Sequence, residues 1–189
     1  SIVPHGATLE LRRDENDRIV RAYWHRAGSV LLCVHRLEQY DGNEKAITQF
    51  YLGGTDENKY FLAELPKQCQ TVEQGFEALK PKDVKIAERL GHEVRRQGEW
   101  FFVPVEWDKE NRKLKRDKFS KVTLPNRNDV NSSSHICSNG YIDKKGKKIY
   151  VTGKISHDRK EHKPLFCKGK LYHAYENLAK LSYSVNGFD

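Results

Sequence analysis

The chain has 189 residues, which suits one large domain or two small ones, and its 37% apolar and 11% aromatic content excludes wholesale disorder. The longest nearly unbroken apolar run, residues 27–34, is far shorter than the about 20 residues a membrane helix needs, and no basic stretch leads into an apolar one at the start. A cytoplasmic location with no membrane partner is the expectation. Cys33, Cys69, Cys137 and Cys167 are scattered and form no C-x-x-C pair, so they read as free thiols or metal ligands rather than a disulfide framework.

In chain order, the first third is β-rich. Residues 19–24, 29–36, 47–52 and 60–65 are dense in β-branched and aromatic side chains, with turn residues between them, as in an antiparallel meander. Two helices follow. Thr71-Val72-Glu73-Gln74 has the form of a capping box, and Val72, Phe76 and Leu79 recur at helical spacing. Pro81 opens the second helix, Val84, Ala87 and Leu90 form its apolar stripe, and Gly91 is placed to cap its end.

Residues 100–107 (Trp-Phe-Phe-Val-Pro-Val-Glu-Trp) read as a strand covered on both faces, entered through a turn at Gln97-Gly98-Glu99. Pro104 cannot donate to a ladder, which puts that position at an edge or a bulge. Residues 108–134 read as a basic loop or linker. Residues 144–147 read as a hairpin turn into a strand at 148–155, and 171–184 fits either a helix or a strand. The expected class is α+β: an antiparallel β meander, two consecutive helices and a basic β-rich C-terminal half. The expected division is 1–107, 108–134 and 135–189, or one single domain.

The net charge of +8 is uneven. Residues 1–80 carry 10 Lys and Arg against 12 Asp and Glu, whereas residues 81–189 carry 24 against 14. That asymmetry points to nucleic acid as partner. The candidate contacts are Arg112, Lys113, Lys115, Arg116, Lys118 and Lys121, which neighbour Trp107 and Phe119 and so combine phosphate neutralisation with stacking.

Chemistry is concentrated further on. His135, Cys137, His157, His162, Cys167 and His173 fall within 39 residues. Imidazole and thiolate are the usual zinc ligands, although these spacings match no zinc-finger pattern. His135, His157, His162 and His173 are the candidate zinc ligands. His157, His162 and His173 are the candidate catalytic residues, either around a metal-activated water or as metal-free acids and bases. Strand, charged loop and Pro164 are expected to bring His157, His162 and His173 together, with His135 arriving across the hairpin and Cys137 and Cys167 in reserve.

The Gln97-Gly98-Glu99-Trp100-Phe101-Phe102 phrase with Pro104, the Val151-x-Gly153-x-Ile155-x-His157 phrase, His162 and Tyr172-His173 resemble an uncharacterised family of bacterial and phage proteins. The likeness covers short phrases of the second half and transfers no activity. Two functions follow from the sequence. The first is a nucleic-acid-associated protein, with phosphodiester hydrolysis or metal-assisted chemistry at the histidines. The second is a non-catalytic interaction or inhibitor protein, a phage-type accessory that binds a protein partner through the aromatic strand.

Overall fold

The computed structural model describes residues 8–13, 18–24, 29–40, 43–56, 59–105, 119–124, 135–143, 148–160, 162–179 and 182–185. The chain forms two compact units, one of residues 1–80 with 178–189 and one of residues 81–177.

The first unit is the meander. Strands β1 (Thr8–Arg13), β2 (Arg18–Trp24), β3 (Val30–Tyr40), β4 (Asn43–Asp56) and β5 (Lys59–Glu64) pair antiparallel in chain order. Alternation along the strands turns Leu31 and Cys33 of β3, and Leu52 of β4, into the core. Helix α1 (Val72–Leu79) adds Val72, Ala78 and Leu79 to the same cluster. Thr71 caps it as the sequence indicates, its Oγ1 accepting from the Gln74 N–H at 3.2 Å. The Gln74 side chain reaches one residue further back than a standard capping box, accepting from the Gln70 N–H at 2.8 Å.

The second unit opens with α2 (Lys82–Arg89), which ends in a Schellman motif: the His92 N–H donates to Ala87 O and the Gly91 N–H to Glu88 O, both at 3.0 Å. Gly91 takes φ +77°, the left-handed conformation this motif requires. The sheet comprises β6 (Arg95–Gln97), β7 (Trp100–Val105), β8 (Ser120–Thr123), β9 (His135–Ile142), β10 (Ile149–His157) and β11 (Leu165–Glu176), in the order β6-β7-β11-β10-β9-β8. The chain then returns to the first unit as β12 (Ser182–Val185), which pairs with β5.

The structure bears on three expectations. The two compact units divide after residue 80, and β7, expected to close the first segment, pairs along its whole length with β11, more than 60 residues away in the chain. Residues 120–123, inside the expected linker, form β8, where Ser120, Val122 and Thr123 pair with β9 across an irregularity at Lys121, and the following Leu124 is buried. In the ambiguous stretch 171–184, Leu171–Glu176 completes β11 and the residues from Ser182 belong to β12; none of its described residues is helical. Pro104 pairs with Tyr172 of β11 beyond the last β6 partner at Phe102, so its ring occupies a free side of the strand.

The core of this unit is Trp100, Phe102, Leu124, Cys137, Ile149, Val151, Ile155, Cys167, Tyr172 and Ala174. Arg96 lies over the Phe101 ring at 5.7 Å, so that β7 is covered on both faces across residues 100–102. Ladder hydrogen bonds do not join β6 to the start of β11. Side chains do: Arg95 donates to Phe166 O and Gln97 Nε2 to Lys163 O. These two bonds bring the 97–99 turn against the segment that follows β10. Among the described residues no helix is long and apolar enough to cross a membrane.

Candidate metal centre

His135 begins β9 and His157 ends β10, and the two residues are directly paired across the strands. Beyond His157 the chain reverses at once: the Lys160 N–H donates to His157 O at 3.1 Å, and Lys160 takes φ +57°. This reversal presents His162 to the other two rings. The centroid of His135 is 4.8 Å from that of His157 and 5.7 Å from that of His162, and His157 and His162 are 5.2 Å apart. One nitrogen of each of the three lies within 4.8 Å of the others, close enough to hold a metal ion.

The turn between β6 and β7 closes the group from the other side. Gly98 occupies the first position of a two-residue hairpin with φ +57°. A Cβ there would lie 3.0 Å from His162 Nε2 and 3.4 Å from His135 Nε2, so glycine keeps open the space on which these nitrogens converge. Glu99, the next residue, directs Oε1 to within 3.4 Å of His135 Nδ1. His135 is 1% exposed, and neither ring nitrogen makes a hydrogen bond, Glu99 Oε1 standing 3.4 Å from Nδ1. A buried imidazole in that state costs free energy unless a further group satisfies it, and a coordinated cation would. Burial by itself raises the Glu99 carboxyl. Its contact with His135, the charge of His135, its own backbone and the charge of His157 outweigh burial, and the net shift is downward.

The donor set, three imidazoles with a carboxylate behind one of them, is chemically of the kind that binds zinc. Of the four histidines expected to converge, the structure brings together His135, His157 and His162 and places His173 elsewhere. His173 pairs with Tyr150, seven residues before His157 on β10, which puts it roughly 20 Å from the group at strand rise. There it stacks on Tyr150 at 5.0 Å and lies 4.1 Å from Tyr175. Burial, reinforced by Lys148 and partly opposed by Asp83 and Asp143, holds its pKa down at about 4. Between that value and the ordinary 6.5, the unfolded chain protonates here and the folded chain does not, so this residue reduces stability as pH falls through the window. A histidine titration followed by NMR is expected to show His173 neutral at pH 6 with a midpoint near 4. A midpoint above 6 would contradict its packing between the tyrosines.

Cys137 and Cys167 are core residues, not part of the ligand group. Burial raises the thiol of Cys137 to about 12 and that of Cys167 to about 11. Of the basic run, Arg112, Lys113, Lys115, Arg116 and Lys118 lie outside the described residues, and Lys121 is exposed on β8. Phe119 packs against Tyr141, with centroids 6.0 Å apart. Sequence reasoning missed Gly98 and Glu99 as parts of the site. The available signal was a glycine and a carboxylate together in the turn that leads into an apolar strand. Comparison with protein-family models, with curated proteins and with solved structures returns no match.

Proposed function

We propose that the second unit is a zinc-binding module whose metal serves hydrolysis of phosphodiester bonds in nucleic acid. The carrying observation is the group His135, His157 and His162, its nitrogens within 4.8 Å of one another and its most buried member making no hydrogen bond at either ring nitrogen. Three protein ligands leave one coordination position for water, the arrangement of catalytic rather than structural zinc. Bound there, zinc supplies a water that ionises near neutral pH. His135, His157 and His162 would hold the ion; the first two are buried and His162 is half-buried. The charge of residues 81–189 supports a polyanionic substrate. So does Lys121, exposed on the strand that pairs with the one bearing His135.

Equilibrium dialysis is expected to give one zinc or cobalt ion per chain. Substituting any of His135, His157 or His162 by Ala should weaken binding about 100-fold or more, since a total on the order of 10 kcal/mol is shared among about four ligands. His173→Ala should leave metal binding unchanged. Metal-dependent cleavage of a single-stranded oligonucleotide then tests the substrate assignment. Metal-free wild-type protein that takes up no ion at all would sink the reading.

A further inference from the structure

Two ring contacts fix how His135 can be used. Its Nδ1 faces the Glu99 carboxylate at 3.4 Å, and its Nε2 lies on the side that Gly98 keeps open, near His162 Nε2. The ring is walled in at 1% exposure, so it cannot exchange these roles by turning freely. Glu99 is itself held from two directions. Its backbone carbonyl accepts from the Asn177 N–H at 2.8 Å, and the preceding residue's carbonyl accepts from Arg96 Nε at 2.8 Å. The carboxylate therefore sits on a braced turn, not on a mobile loop.

On the reading of the three histidines as a metal site, we infer that Glu99 is the positioning residue of the centre, holding the proton of His135 on Nδ1 and so reserving Nε2 for the ion. Metal-binding histidines commonly donate their second N–H to a carboxylate, which fixes the tautomer and increases the basicity of the coordinating nitrogen. A cation at Nε2 would favour closing the 3.4 Å contact to a hydrogen bond. The same carboxylate offsets one charge of the bound ion, favouring a divalent cation over a site built from neutral imidazoles alone.

The experiment compares wild-type, Glu99→Gln and His173→Ala proteins by cobalt titration and by the ¹⁵N shifts of His135. Gln keeps the shape of the side chain and removes its charge. Cobalt binding by Glu99→Gln is expected to be weaker by about 10–100-fold, with a metal-free circular dichroism spectrum like the parent's. In the metal-free parent, His135 should carry its proton on Nδ1. Equal cobalt affinity in Glu99→Gln, or an Nε2-protonated His135 in the parent, would overturn the role of Glu99 while leaving the three-histidine site standing. The tautomer is read on unsubstituted protein, so that test survives a variant that fails to fold. No cobalt binding by the parent would instead remove the site on which the inference rests.

Discussion

Truncating Phe102 to Ala is expected to destabilise the second unit by about 3–5 kcal/mol, the usual cost of removing a fully buried phenyl ring. Phe102 is 0% exposed and belongs to the same core cluster as Trp100, Val151 and Tyr172. It pairs with Arg95 on one side and Ala174 on the other, so the surrounding backbone is held by two ladders and cannot readily collapse into the cavity. Against a typical domain stability of about 5–15 kcal/mol, such a loss leaves little margin. Urea denaturation would show a large fall in midpoint at nearly constant slope. A loss below about 1 kcal/mol would mean that the ring contributes little to the core, and would return β7 to consideration as a partner-binding surface. Trp100, Phe101 and Phe102 are buried, and Trp107 lies outside the described residues.

What could be read from the sequence was mainly local. The meander follows from β-branched runs between turns, and the caps at Thr71 and Gly91 follow from side-chain and backbone chemistry within a few residues. That His135 would arrive from a strand neighbouring that of His157 was also legible, and β9 and β10 do pair antiparallel; the expected turn at 144–147 lies outside the described residues. Non-local register was not. Nothing in the spacing of His173 says that β11 lies beside β10 with Tyr150, not His157, as its partner. Crowding in sequence places residues near one another in space only when the intervening strands are short, and β10 spans nine residues. The unit boundary was hidden for a similar reason: β7 follows the helices in the chain but pairs with β11. Gly98 and Glu99 looked like ordinary turn residues because a turn sequence does not reveal what the turn faces.

Gly98 carries the other large effect. Gly98→Ala is expected to reduce zinc or cobalt binding to an undetectable level while leaving most of the fold intact. Two costs combine. At φ +57° an alanine in the left-handed region is strained by about 1–2 kcal/mol. Its Cβ would also lie 3.0 Å from His162 Nε2 and 3.4 Å from His135 Nε2. An ion held at about 2.0–2.1 Å from both nitrogens must share that small space, so methyl group and metal compete for it. The strain is too small to unfold a domain of ordinary stability, whereas the steric conflict falls on the coordination sphere. The discriminating measurement pairs thermal melts with and without zinc. Wild-type protein should melt higher with zinc, because an ion that binds only the folded state stabilises it in proportion to RT ln(1 + [L]/Kd). Gly98→Ala should melt slightly below the wild type without metal and gain nothing when zinc is added. A variant that is stabilised by zinc as much as its parent would show that the three nitrogens do not share an ion in the space beside Gly98, and the centre would have to be sought on another face of the histidines.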